Sequence, residues 1–205
     1  MVANTGQAGF LESELLEQVK AGDEKAFEAI VDRYSARIYR IGRTITGNPE
    51  DAEEVVQDVF MTVFQKIGSF EGRSAFSTWL YRIAVNAAMM KVRGKREKQE
   101  RTEEDLERWL PVFDARAQHA HPVEAWSANP EEAVLQRERR EVLRNELATL
   151  PMEYRTVVAL RDLQGLSSEE AAEILGISPA AVKSRLHRAR LALRGKLAAH
   201  FEEES

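Results

Sequence analysis

The spacing of its apolar residues is what most constrains the fold of this chain. Between Phe27 and Ile45 they fall at Phe27, Ile30, Val31, Tyr34, Ile38, Ile41 and Ile45, one stripe at the three- and four-residue steps of an amphipathic helix. That spacing returns almost everywhere, and no stretch shows the strict alternation of a half-buried strand. Turn-formers are scarce, with 11 Gly and 6 Pro in 205 residues, less than average usage. The expectation is an all-α fold.

Punctuation divides the stripes into helices. Asn48-Pro49 reads as an N-cap followed by a proline at the first helical position, with Asp51 and Glu53 favoured by the helix dipole. The helix it opens carries a ridge, Ala52, Val55, Val56, Val59, Phe60, Val63, Phe64 and Ile67, broad enough to pack on two neighbours. Glu50, Asp51, Glu53, Glu54 and Asp58 give the rest an acidic face. Gly68 to Gly72 breaks it, and a third long helix is expected from about Ser74 to Gly94 or beyond. From Thr102 to Asn129 the period fails and acids gather, so this stretch reads as a linker. Asn129-Pro130 repeats the cap signal and opens a helix with Leu135, Val142, Leu143 and Leu147 inward. A helix through Val157, Val158, Leu160 and Leu163 follows, then two closely spaced helices. The working division is a helical domain over 10–98, a flexible linker over 99–129 and a second helical domain over 130–200.

Composition excludes several classes. With no Cys, disulfides, thiolate zinc sites and cysteine nucleophiles are out, and a reducing compartment fits. No uncharged apolar run approaches the ~18 residues of a membrane helix, and Met1 to Phe10 lacks the pattern of a signal peptide. A soluble cytoplasmic protein without membrane insertion is the expectation. There is no nucleophile with an oriented base and no phosphate-cradling glycine loop, so no enzyme and no cofactor is expected. His119 and His121 form a pair too sparse for a metal site.

The net charge of -5 argues, as an average, against a nucleic-acid binder. The average misleads, because the charges are segregated. Lys91 to Arg101 holds six basic residues and Lys183 to Lys196 six more without an acid, while the acids gather on Glu50 to Asp58 and in the linker.

The second basic block sits in a readable constellation. Ser167 and Ser168 can cap a short helix holding Ala171, Ala172, Ile174 and Leu175; Gly176 ends it, and Ser178-Pro179 caps the next, which buries Val182, Leu186, Ala189, Leu193 and Leu197. Two helices around a glycine turn make a helix-turn-helix, whose second helix enters the DNA major groove. Donors early in such a helix reach base edges and later ones meet phosphates. Lys183, Ser184, His187 and Arg188 are therefore expected on bases, and Arg185 and Arg190 mainly on the backbone. A solvated basic helix stabilising a small bundle is the plainer alternative.

In the first domain the segment FEGRSAFSTWLYRIAVNAAMMKVR, Phe70 to Arg93, places Trp79, Arg82, Asn86, Met90 and Arg93 on one helix face. An aromatic, an amide and guanidiniums together suit unpaired bases, which are held by stacking, by amide hydrogen bonds and by cations along the backbone. Ahead of it Phe70, Ser74, Ala75 and Phe76 border a loop able to take a base turned out of the stack. The same aromatics also fit a plain core role.

The runs FEGRSAFSTWLYRIAVN, NPEDAEEVVQDVF, LPMEYRTVVALRDLQGLSSEEAAEILG and VKSRLHRAR, in this order, resemble those of bacterial extracytoplasmic-function (ECF) sigma factors. The resemblance implies a promoter-specificity subunit that docks on RNA polymerase core, at the beta-prime clamp helices and the beta flap. It implies that the first domain recognises and melts the minus-ten element and the second binds the minus-thirty-five element. It puts the flipped base against Phe70 to Phe76, the melted strand along Trp79, Arg82 and Asn86, and the minus-thirty-five readers at Lys183, Ser184, His187 and Arg188. Glu54, Gln57 and Asp58 match the contact with the clamp helices, and an anti-sigma factor is implied as a further partner. Ala180-Ala181 stands where many relatives have Gly-Thr, and Met89-Met90 where many are polar or charged. The rival reading is a helix-turn-helix regulator that binds duplex operators without polymerase. In the linker Trp109, Leu110, Val112, Phe113 and Trp126 are expected to dock on a surface; the resemblance implies that the linker threads through the polymerase channels toward RNA exit, and the other expectation is that in the free protein it covers the DNA-binding faces.

Overall fold

The computed structural model describes residues 5–96 and 130–203, with side chains over 12–94 and, in the second stretch, at 139 and 141–198. Every regular element in these residues is helical. The linker residues Trp109, His119, His121 and Trp126 lie outside them.

Helix α1 runs over Thr5–Lys20, a helix the sequence reading did not anticipate, and α2 over Glu24–Thr46. Asp23 caps α2, its carboxylate accepting from the backbone N–H groups of Lys25 and Ala26. Asn48 caps α3, Pro49–Lys66, by accepting from the N–H of Asp51 at 2.8 Å, as the Asn-Pro signal predicts. A 3-10 turn, Ile67–Ser69, leads through the loop 70–75 to α4, Phe76–Arg96. The α2 stripe is buried: Ile30, Tyr34, Ile38, Ile41 and Ile45 pack on Val55, Val59 and Val63 of α3 and on Leu80, Ala84 and Ala88 of α4.

In the second stretch α5, Pro130–Thr149, and α6, Met152–Val158, precede a π turn at Ala159–Leu163. Then come α7, Ser168–Leu175, and α8, Pro179–Glu203. Ser167 and Glu170 form a reciprocal capping box at the start of α7. Gly176 closes α7 in the left-handed conformation, φ 67°, and Ser178 accepts from the N–H of Ala181 to open α8. Val182, Leu186, Ala189 and Leu193 are buried, as the period predicts.

Four positions correct the apolar pattern. Phe64 is 67% exposed, because the α3 ridge meets α2 and α4 through Val55, Val59 and Val63 and leaves Phe64 at the rim against Phe27. Leu143 and Leu163 are exposed rather than inward; at Leu163 the π turn shifts the face that follows it. Asp51, expected on the acidic face, is buried at the first turn of α3.

Candidate nucleic-acid interface

In the first unit the aromatic residues form one cluster. The rings of Phe70 and Trp79 stand 5.2 Å apart, those of Phe70 and Phe76 5.7 Å, and Phe76 meets Tyr34 behind them at 5.7 Å. Phe76 is a core residue, only 3% exposed, whereas Phe70 and Trp79 are half-buried. Phe76 thus takes the plain core role, and it underlies Phe70 and Trp79. Ala75 is exposed and Ser74 half-buried beside them. Beyond Trp79, the residues Arg82, Asn86, Met90 and Arg93 are exposed along one side of α4, while Leu80, Ala84 and Ala88 face the core.

Two residues at this pole gave no signal in the sequence. Lys20, at the end of α1, holds its ammonium 5.9 Å from the centre of the Phe70 ring, a cation–π distance. Arg37 of α2 donates to the Tyr81 hydroxyl at 3.5 Å and so bridges to α4. Both depend on how helices cross, which periodicity within one helix does not report.

The acidic face is less bare than composition suggests. Lys91 reaches from α4 to α3, hydrogen-bonds the Glu54 carboxylate and lies 3.5 Å from Asp58. The hydrogen bond to Glu54 raises the pKa of Lys91 above the usual lysine value. One member of the basic block at Lys91 to Arg101 is thus committed to protein. Gln57, three residues on from Glu54 and next to Asp58 on the same exposed face of α3, also lines an open groove of about 650 Å³ with Ser35, Tyr39, Arg40, Glu53 and Val56.

In the second unit, α8 sorts its donors by partner. Lys183, Ser184, His187 and Arg188 are all exposed on one side of the helix. Arg185 is half-buried and lies 3.6 Å from Glu153 of α6. Arg190 makes two hydrogen bonds to Asp162, 3.2 Å from Nε and 2.6 Å from Nη2. Lys196, the last of the second basic block, ties α8 to α5 by donating to Thr149 Oγ1 at 2.8 Å and approaching Glu146 at 3.6 Å. Among the described residues no cluster of His, Cys, Asp and Glu is suited to a metal ion, and no helix is long and apolar enough to cross a membrane.

A helical bundle with an aromatic pole, followed by a helix-turn-helix with an exposed row of donors, defines a two-part DNA-binding protein of transcription. Comparison with known proteins specifies it. The family model for Sigma-70 region 2 matches residues 30–98, and that for Sigma-70, region 4 matches residues 140–193. The chain is 36% identical over 182 residues to the ECF RNA polymerase sigma factor SigW of Bacillus subtilis, covering 89% of this chain and 94% of SigW. It is 36% identical over 191 residues to the ECF RNA polymerase sigma-E factor of Escherichia coli, covering 89% and 92%. Among solved structures, CnrH in complex with the cytosolic domain of CnrY aligns at a TM-score of 0.62 with 26% identity, over 90% of this chain and 96% of CnrH. The chain belongs to the ECF sigma factors, and its function is promoter recognition as a sigma factor.

Proposed function

We propose that this sigma factor melts the minus-ten element with its first unit and reads the minus-thirty-five element with α8, while α3 docks on polymerase core. Phe70, Ser74, Ala75 and Trp79 receive the flipped base on the platform of Phe76, and Arg82 and Asn86 follow the melted strand. Stacking and amide hydrogen bonds suit bases freed from a duplex, and Trp79 and Asn86 lie on the same side of α4. Lys183, Ser184, His187 and Arg188 read base edges. Arg185 and Arg190 stand beside them, each anchored to an acid of its own unit and each with donors left over for phosphate.

Glu54, Gln57 and Asp58 form the contact with the beta-prime clamp helices, and the second unit meets the beta flap. The division into units at 10–98 and 130–200 follows from the same reading. The factor works in the cytoplasm, has no catalytic chemistry of its own and is held in check by an anti-sigma factor. CnrH was solved with the cytosolic domain of CnrY, which supports such a partner here.

The observation that carries this reading is the coexistence, in one chain, of an exposed Arg82–Asn86 row beside aromatic rings and an exposed donor row on α8. A duplex-operator regulator has no use for the first. Run-off transcription with purified core polymerase is the test: promoter-specific transcript that core alone does not make is expected, and duplex binding without such transcript would favour the regulator.

A further inference from the structure

The Phe70 ring has three neighbours of different kinds. Phe76 meets it edge-on at 5.7 Å, Trp79 lies tilted at 5.2 Å, and the Lys20 ammonium sits over it at 5.9 Å from the ring centre. Lys20 comes from α1, of which it is the last residue. The fold fixes the root of its side chain. Leu16 and Val19 bury the inner side of α1 in the core, and Tyr34 of α2 ties the helix down through Glu12. The chain turns directly after Lys20, where the N–H groups of Gly22 and Asp23 return to the carbonyls of Val19 and Gln18. The same helix packs against the turn Ile67–Ser69 that leads to Phe70. A lysine at a helix C-terminus is also favoured by the dipole. Its acid partner holds it loosely by comparison. Glu17, one turn back at 2.9 Å, has a side chain 73% exposed against 26% for Lys20, and exposed pairs at this spacing contribute little. An ammonium has three donors, of which Glu17 takes one.

We infer that Lys20 is a strand contact of the first unit: its ammonium binds the phosphate of the nucleotide whose base enters at Phe70. The inference rests on the assignment of Phe70 to the flipped base. A base that stacks on the ring face under the ammonium has to move that ammonium aside, and the flexible four-carbon stem of lysine allows this while α1 stays in place. The cation then has a partner within reach, because every base brings its own phosphate one sugar away. The exchange replaces the ring and one exposed carboxylate with a charge-assisted bond to phosphate, the stronger of these partners for an ammonium. Trp79, Arg82, Asn86 and Arg93 all belong to α4. Lys20 thus brings a cation from a second helix to the end of that row nearest the flipped base.

Two measurements test this. Lys20 is exposed, so Lys20→Gln keeps the fold. In the first, the full chain is titrated with a fluorescein-labelled, mixed-sequence single-stranded DNA 12-mer from about 50 to about 200 mM salt, followed by anisotropy. One phosphate contact on a single strand contributes about 0.7 to the slope of log affinity against log salt. Lys20→Gln is therefore expected to reduce the slope by about 0.7, which amounts to about eightfold weaker binding at 50 mM salt when the two lines meet at 1 M. Lys20→Arg is expected to restore the slope. A lysine that only packs on Phe70 would alter affinity and leave the slope alone. The second measurement uses the absence of Cys from the chain, which makes Lys20→Cys a unique thiol. It is expected to form a disulfide with a strand that carries a thiol tethered to one phosphate, whereas Gln18→Cys, exposed on another side of α1, is not. An unchanged slope, or crosslinking no greater from Lys20→Cys than from Gln18→Cys, would overturn the inference. Asn86→Ala separates the two failures. If it weakens strand binding while Lys20→Gln leaves the slope unchanged, only the Lys20 contact is wrong. If neither variant alters binding, the strand assignment of the first unit falls with it.

Discussion

Arg190 grips Asp162 through two guanidinium nitrogens, and this ties the middle of α8 to the π turn that precedes the helix-turn-helix. The bond raises the pKa of Arg190 further above a value already beyond the working range. A bidentate pair fixes orientation as well as charge, so Arg190 serves the fold. Asp162→Ala is expected to destabilise the protein by about 0.5–1.5 kcal/mol, the range for a partly exposed charge-assisted pair. Lys183→Ala, on the open side of the helix, is expected to be neutral to stability while weakening duplex binding. Thermal melting beside minus-thirty-five duplex titrations checks both; equal stability losses would mean the split of roles on α8 is wrong.

On α4 the cleanest probe of strand melting is Asn86 rather than Trp79. Trp79 packs on Phe70 and Phe76, so its removal also disturbs the loop, whereas Asn86 is exposed. Asn86→Ala is expected to lower run-off transcript from a duplex promoter about tenfold, the loss of ~1–1.5 kcal/mol from one base-edge hydrogen bond. On a template already mismatched across the minus-ten element, part of that loss is expected to return. Binding to polymerase core should stay unchanged. An equal defect on both templates would place Asn86 outside the opening step.

Lys91 ties α4 to α3, since it neutralises Glu54 and Asp58 from the helix that carries Arg82. Lys91→Ala leaves those carboxylates without their cation. Binding to polymerase core is then expected to become more salt-dependent, because unscreened charge on an exposed surface acts through ionic strength. Stability should fall by no more than about 1 kcal/mol. Core-binding titrations across a salt series check this, and parallel salt slopes for the two proteins would show that Glu54 and Asp58 do not meet core as charges.

The sequence made most of this legible where a single helix carries the signal. Asn48-Pro49, Ser167, Gly176 and Ser178-Pro179 each mark the helix end at which the structure uses them. The α8 face divides as its period predicts, with Val182, Leu186, Ala189 and Leu193 inward. What escaped depends on relations between helices. Phe64 and Leu163 belong to an apolar period yet stand in solvent, because which part of a ridge is covered depends on the crossing helix and, at Leu163, on a π turn. Lys91 and Lys196 looked like free cations because their acids lie 33 or more residues away in the chain, on α3 and α5. Glu173 gave no signal either, since it lies 91 residues from the arginine it meets.

Two glycines at helix ends separate backbone strain from crowding. Gly176 has φ 67° with open space around it, whereas Gly47 has φ 76° and Ala148 of the second unit close by. Gly176→Ala is expected to cost about 1 kcal/mol, the penalty of a left-handed residue with a side chain. Gly47→Ala meets the same penalty and also presses the new methyl against Ala148 at 3.1 Å, so its cost is expected to be larger. Urea denaturation of the two variants measures the difference. Equal costs would show that the units yield at this point without loss.

Alkaline pH acts on Tyr34, which is 4% exposed and donates its hydroxyl to the Glu12 carboxylate of α1. Burial, and next the hydrogen bond to Glu12, hold its phenol well above the ordinary range. An unfolded tyrosine titrates near pH 10. Between that value and the raised folded one the unfolded chain has lost a proton that the folded chain keeps, so stability falls as pH rises, by up to about 1.4 kcal/mol per pH unit. Below pH 10 the contribution is fully present. Tyr34→Phe removes the titrating group and the hydrogen bond together. It is expected to lower stability near pH 7 by about 1 kcal/mol and to flatten the decline above pH 10. Urea midpoints from pH 7 to 11 follow both effects, and an unchanged alkaline slope in Tyr34→Phe would assign the decline to other groups. Because Glu12 lies on α1, loss of this bond should also loosen the helix that sets Lys20 over Phe70.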